Sequence, residues 1–271
     1  MTENSKKVML SFDIEEFDMP EEYGRSISFE EKIDVSTKGT KIILDLLKNH
    51  DIQATFFSTV EFAKNAKALI DRINNEGHEL ASHGCFHSLF NDDHLAQSKI
   101  ELEKISGQKI NGFRMPRMMN VNNKAASQAG YQYNSSLNPV YLPGRYNNFF
   151  KPRTAFIADS IIQFPASAVP FVRFPLFWIS FHNLPMSLYK AACSYTLSHD
   201  HYLNIYFHPW EFVDLAKDEY NLPKFVSKNS GKEMEERFNS LLNWFKERKA
   251  SFCTITNYLN SRDRNEIPVY E

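Results

Sequence analysis

Gly77-His78-Glu79-Leu80-Ala81-Ser82-His83-Gly84-Cys85-Phe86-His87 holds a helix stop, a short strand and two histidines in one continuous run. Residues 61–75, just before it, carry apolar side chains at helical spacing and end at Gly77, a residue suited to closing a helix. Residues 78–82 then read as a strand. The same alternation continues in both directions. Upstream, the pattern predicts a strand over 8–12, a helix over 35–50 and a β-branched, aromatic strand over 53–58. Downstream it predicts a helix over 92–106, a strand over 109–113, a helix over 122–129 and a strand from Tyr131. From Ser135 the prolines at 139, 143, 152, 165, 170, 175 and 185 blur the pattern, leaving short strands near 155–158 and 161–164. A helix over 186–198, a strand over 202–207, a long amphipathic helix over 231–248 and a last strand over 251–255 complete the reading.

Strands that alternate with helices imply a parallel sheet. About seven such units fit a closed or nearly closed, distorted (β/α) barrel. A doubly wound open sheet is the competing α/β fold, but no glycine-rich phosphate loop follows the first strand. In a barrel, functional groups collect at the carboxyl ends of the strands. Asp13 follows the strand 8–12, His83 follows 78–82, Arg114 follows 109–113 and His208 follows 202–207. Four strand ends each delivering a chemically capable residue is more informative than any one of them.

Composition narrows the function classes. The chain has 271 residues, and Lys+Arg 31 against Asp+Glu 33 gives a net charge of -2, which excludes the basic stripe of a nucleic-acid binder. No stretch is long and apolar enough to span a bilayer, and the polar N-terminus lacks the apolar region of a signal peptide. Cys85, Cys193 and Cys253 are scattered, which argues against a disulfide framework and for a reducing compartment. The expectation is a cytoplasmic protein.

His83 and His87 are four residues apart, so both rings can converge on one ion. Two imidazoles, one carboxylate and an open position suit zinc or a similar divalent cation. Asp13 and Glu15 offer two carboxylates, so one ligates while the other is free to act as a base. Each residue also has a plain structural reading. With Glu16 and Asp18 the acids could form a solvated loop, Arg114 could pair with a surface acid, and His208-Pro209-Trp210 could be a packed turn. His199-Asp200-His201 precedes its strand and falls on the stability face, and Cys85 is expected to point away from the histidines.

In five ordered segments the chain resembles the polysaccharide deacetylase (NodB-type) family, carbohydrate esterase family four, over most of residues 7–260. They are Ser11-Phe12-Asp13-Ile14-Glu15, Ala54-Thr55-Phe56-Phe57, the histidine segment quoted above, Gly112-Phe113-Arg114-Met115-Pro116-Arg117, and Tyr206-Phe207-His208-Pro209-Trp210-Glu211. The resemblance implies a single catalytic domain over 1–271 that removes an N-acetyl group from a carbohydrate or carbohydrate precursor. It implies Asp13 as base, Arg114 as its orienting partner and His208 as general acid. It implies Glu15, His83 and His87 as ligands of a divalent metal (zinc, with cobalt and nickel as options). Arg117, through its backbone N–H, and Trp210 are expected on the oxyanion and substrate side. The chain departs from the family in three ways. Glu15 stands where aspartate is usual, moving the carboxylate by about 1.5 Å. Arg117 stands where an aromatic is usual, a cation suited to an anionic substituent on the substrate. The aspartate that usually partners the late histidine is not placed by the sequence, and Arg173, His182 or nothing stands in for it. The competing functions are a metal-independent, allantoinase-type amidohydrolase, a sugar deformylase and an inactive glycan-binding barrel.

Overall fold

The computed structural model describes residues 6–216 and 218–270. Its first strand, β1 (Lys7–Ile14), is buried along nearly its whole length because it has neighbours on both sides. β2 (Thr55–Ser58), β3 (Glu79–Ser82), β4 (Gly112–Phe113) and β5 (Tyr133–Asn134) follow it in order, all parallel. The chain then forms a small antiparallel pair, β6 (Tyr141–Leu142) with β7 (Tyr146–Asn147). β8 (Phe156–Ala158) and β9 (Ile161–Gln163) make an antiparallel hairpin, and β9 joins β5 in parallel. β10 (Tyr202–Phe207) lies on the other side of β1, and the short β11 (Ser251–Phe252) pairs with Lys7 and Val8.

The resulting order, β10-β1-β2-β3-β4-β5-β9-β8, is a curled sheet of seven parallel strands with β8 as an antiparallel edge, the expected distorted (β/α) barrel. Its two ends do not share a ladder. They are drawn together through Asn204, in the middle of β10. The Asn204 N–H donates to Ser167 Oγ at 2.9 Å, the Ser167 N–H donates back to the Asn204 carbonyl at 2.9 Å, and Asn204 Nδ2 donates to the Pro165 carbonyl at 3.1 Å.

The short apolar runs form strands because both faces are covered. On one face the Phe12 ring packs on Phe56 at 5.1 Å and on Phe207 at 6.1 Å. Each fully buried phenylalanine of this kind contributes about 1.5–3 kcal/mol. The helix Phe29–His50 covers this face. It starts earlier than its apolar spacing suggests, because Ser28 caps it by accepting the Glu31 N–H. Gly39, inside this helix, lies so close to the turn after β10 that a Cβ would sit 1.8 Å from the Pro209 carbonyl oxygen.

Several elements differ from expectation. The helix over 61–75 is two helices, Val60–Asn65 and Lys67–Asn75, broken at Ala66. The strand over 109–113 shortens to β4, where Gly112 admits the Tyr133 ring. The helix Trp178–Asn183 lies within the proline-rich stretch, where none was expected. The strand over 251–255 ends at Phe252, because Thr254 caps the helix Ile255–Asn260. Among the described residues no helix is long and apolar enough to cross a membrane.

Candidate active site

Parallel registers bring the carboxyl ends of β1, β3, β4 and β10 to one face, and residues at or shortly after those ends form a single cluster. Asp13, Glu15, His83, His87, Arg114 and His208 are all buried there. Glu15, His83 and His87 form one group. Glu15 Oε2 lies 3.0 Å from His83 Nε2 and 3.1 Å from His87 Nε2. Each ring is aimed by its other nitrogen. His83 Nδ1 lies 2.9 Å from the Arg114 carbonyl, which can only accept, so that nitrogen carries a proton and Nε2 is turned toward Glu15. His87 Nδ1 lies 2.8 Å from Asp18 Oδ1, which fixes the orientation of that ring too.

This donor set fits a divalent ion. The three ligand atoms lie within 4.8 Å of one another, and although Glu15 Oε2 and His83 Nε2 approach each other, neither buried atom has a well-formed hydrogen bond among the described residues. Atoms of this kind are costly to bury unless something else satisfies them. Burial alone would raise the Glu15 pKa, but His87, His83 and His208 pull it down to about 2. Burial opposes a charge on His87, yet Glu15 and Asp18 hold its pKa up at about 9. The field at this point therefore favours positive charge.

The second carboxylate is separate from this group. Arg114, fully buried, donates from Nη1 to Asp13 Oδ1 at 2.7 Å. The guanidinium also donates to the Ser135 carbonyl at 3.1 Å and to Ser135 Oγ at 3.0 Å, and it lies 4.0 Å over the Phe57 ring. With every face of the guanidinium engaged, Asp13 has a fixed partner and a fixed rotamer, and Oδ2 is the oxygen not bonded to Arg114.

His208 Nε2 stands 3.9 Å from Asp13 Oδ2. Its ring stacks on Trp210 at 4.7 Å and meets the edge of Trp178 at 5.4 Å. Burial disfavours a charge on His208, but Glu211, Glu15 and Asp13 outweigh it and raise its pKa above the ordinary value.

The substrate-side candidates are placed differently. Arg117 has φ 56°, in the left-handed region, and its backbone N–H makes no hydrogen bond among the described residues. Its guanidinium is taken by two acids, donating to Glu22 Oε1 at 2.6 Å and to Asp18 Oδ2 at 3.1 Å. The side chain is therefore tied to the carboxylate that holds His87. Trp210 is buried beneath His208, with Nε1 at 3.5 Å from Glu15 Oε1. Arg173 lies apart from the cluster, donating to the Pro139 and Lys151 carbonyls. Cys85 is buried with its thiol directed at the His94 carbonyl, and Asp200 pairs with Arg153 at the amino end of β10.

Two contributors were hidden in the sequence. Asp18 looked like one more acid in a charged run. Glu211 is the residue that holds His208 Nδ1, at 2.9 Å, and its other oxygen lies 2.8 Å from His182 Nε2. Its position three residues after His208, at the start of a turn, was the available signal, since a carboxylate there also caps the His208 backbone N–H.

Residues 1–134 match the family model described as polysaccharide deacetylase. The match ends before β10, so His208, Trp210 and Glu211 lie outside it. The peptidoglycan-N-acetylmuramic acid deacetylase of Bacillus subtilis is 33% identical over 84 residues, 28% of this chain and 32% of that protein. The chain covers between 25% and 32% of the length of the curated relatives it matches. Among solved structures, a candidate polysaccharide deacetylase from Mycobacterium smegmatis superposes with a TM-score of 0.69 at 16% identity, covering 100% of this chain and 95% of that one. A pseudoenzyme of carbohydrate esterase family 4 from Bacillus anthracis superposes with a TM-score of 0.54 at 13% identity, covering 99% and 70%. These structures share the fold. Through residues 1–134 the chain belongs to the polysaccharide deacetylase family.

Proposed function

We propose that the protein is a metal-assisted hydrolase that removes an acetyl group from the nitrogen of an N-acetylated sugar in a glycan. The observation that carries this reading is the pairing of two units at one set of strand ends. Glu15, His83 and His87 offer three converging ligand atoms, and beside them Asp13 Oδ2 faces His208 Nε2 at 3.9 Å. A passive glycan-binding barrel needs neither unit buried. That some structural neighbours are pseudoenzymes shows that the fold alone does not decide activity.

A divalent ion held by Glu15, His83 and His87 would supply Lewis acidity, making both water and an amide carbonyl more reactive. The remaining work falls to the chain. Asp13, oriented by Arg114, takes a proton at Oδ2 from the water that attacks the acyl carbon. The free N–H of Arg117 is placed to donate to the oxyanion of the tetrahedral species. His208 Nε2 gives its proton to the departing amine nitrogen as the carbon–nitrogen bond breaks. Hydrolysis is then balanced: one water proton goes to Asp13 and the other stays on the acetic acid formed, His208 gives one proton to the free amine, and the proton on Asp13 Oδ2 restores His208 Nε2, 3.9 Å away. Asp18 keeps His87 in its ligand tautomer, and Arg117 and Ser88 keep Asp18 in place.

The test is acetate release from N-acetylated glycan oligomers by the full chain, as purified and after loading with zinc, cobalt or nickel. Release that depends on Asp13 and on the metal supports the reading. No release from any acetylated glycan under all loadings would overturn it.

A further inference from the structure

The acid role given to His208 does not by itself require a second histidine sealed behind it. His182, on the helix Trp178–Asn183, and Glu211, in the turn after β10, are both fully buried. His182 Nδ1 lies 2.7 Å from the Lys228 carbonyl, which can only accept, so that nitrogen carries a proton. His182 Nε2 lies 2.8 Å from Glu211 Oε2. Glu211 Oε1 lies 2.9 Å from His208 Nδ1 and also accepts the His208 backbone N–H. One carboxylate thus bridges two imidazoles, with one oxygen committed to each. Among the described residues no other side chain hydrogen-bonds that carboxylate.

The surrounding packing preserves the bridge. Trp178, one helical turn before His182, meets the His182 ring at 6.0 Å and the His208 ring at 5.4 Å, both edge-on. The Asn229 side chain donates to the His182 carbonyl at 2.6 Å. The charged groups that act on His208 are Glu211, Glu15 and Asp13; on Glu211 they are the two histidines. A glutamate held only at Oε1 keeps rotamer freedom in its three side-chain torsions. Held at both oxygens, it has one orientation.

We propose that His182 is a positioning residue for His208: by anchoring the far oxygen of Glu211 it locks the carboxylate against His208 Nδ1, leaving His208 Nε2 as the atom that holds the mobile proton. The inference rests on the deacetylase reading for its purpose, but its geometry can be tested without turnover. Buried carboxylates that orient a histidine tautomer act in this way in other hydrolytic sites.

Two variants of the full chain separate the possibilities. His182→Asn can still reach the Lys228 carbonyl but is too short for Glu211. His182→Gln can present its amide to Glu211. Imidazole nitrogen chemical shifts of His208 in the labelled protein, recorded at a pH high enough to leave its ring neutral, report its tautomer directly. The expected result is one Nδ1-protonated tautomer in the wild type and in His182→Gln, and a mixture in His182→Asn. In acetate release, His182→Asn should lose about tenfold or more in kcat with KM within about twofold, and His182→Gln should recover most of it. A single unchanged tautomer in folded His182→Asn, with wild-type kcat, would overturn the inference and leave the deacetylase reading intact. A changed tautomer in a protein that deacetylates nothing would keep the inference and remove the reading beneath it. Should His182→Asn fail to fold, a mixed tautomer in His182→Gln would overturn the anchor, and a single one would support it.

Discussion

Asp13 Oδ2 faces His208 Nε2 across 3.9 Å, from the ends of two adjacent parallel strands. Phe12 and Phe207, the residues immediately before them, are partners in the ladder between β1 and β10. The spacing of the two reactive groups is therefore set by backbone register. Their roles are separated by their other contacts. Asp13 is held by a buried arginine, and His208 by a buried glutamate. Arg114 occupies Oδ1 of Asp13 and so fixes Oδ2 as the oxygen left to accept, whereas the anions around His208 favour its protonated form, which suits an acid.

Asp13→Asn should abolish turnover while keeping the metal site. The amide can still accept from Arg114 but cannot take a proton, so kcat should fall by about 10²–10⁴-fold. Because Arg114 loses its buried counter-charge, stability should also fall, by up to about 3–5 kcal/mol. Acetate release, metal content by plasma mass spectrometry and denaturant unfolding, measured together, check this. An active Asp13→Asn would remove the base assignment.

His83→Ala should take metal content from about one equivalent to near zero, since it deletes one of three protein ligands. Asp18→Ala is the finer test. It leaves all three ligands but frees the His87 Nδ1 that Asp18 now holds at 2.8 Å. Loss of such a partner lowers metal affinity by about 10–100-fold. Competition with a chelator of known affinity would show this, and unchanged affinity would mean that Asp18 serves only its ion pair with Arg117.

Much of this site was legible because its residues follow strands with unmistakable patterns. Residues 202–207 are buried on both faces and read as strand from end to end, so His208 could be placed at once. The same holds for Asp13, although β1 runs one residue past it, to Ile14. What escaped was anything set by tertiary contact. The apolar runs at 156–158 and 161–163 carry no direction, so their antiparallel pairing was invisible. The helix Trp178–Asn183 is one and a half turns long, too short for a periodic signal among prolines. His182 thus appeared only as one of two stand-ins, and its route to His208 runs through Glu211, a residue whose role depends on a turn. Arg117 read as a free cation because its partners, Asp18 and Glu22, lie about a hundred residues upstream.

Gly39→Ala should impair the site from a distance. The new Cβ would lie 1.8 Å from the Pro209 carbonyl oxygen and 2.4 Å from its carbon. Both are backbone atoms in the turn that begins at His208, so the helix or the turn must move. Overpacking of this kind costs about 1–3 kcal/mol or more, and here the displacement falls beside His208. The expected result is a lower melting temperature together with lower kcat, whereas Lys38→Ala, on the exposed side of the same helix, should change neither. Wild-type behaviour of Gly39→Ala would show that the helix–turn seat is looser than drawn.

Stability should depend on pH through His78, a buried histidine far from the site. Burial drives its pKa down to about 4, with Glu76 offsetting only part of the effect. The geometry agrees, because His78 Nδ1 accepts the Ala54 N–H at 3.2 Å and a proton there would break that bond. Above about pH 6.5 the imidazole is neutral in both the folded and unfolded chain and contributes no slope. As pH falls from 6.5 towards 4, the unfolded chain binds a proton that the folded chain refuses. Folding stability from this group then drops by about 1.4 kcal/mol per unit, roughly 3 kcal/mol in all, and levels off below pH 4. His78→Gln keeps an acceptor for Ala54 but does not titrate. Its unfolding free energy should therefore decline less steeply than the wild type's between pH 6.5 and 4, as measured by denaturant titration at several pH values. Parallel declines in the two proteins would show that His78 is protonated as easily folded as unfolded, and that the acid sensitivity of the fold lies with other groups.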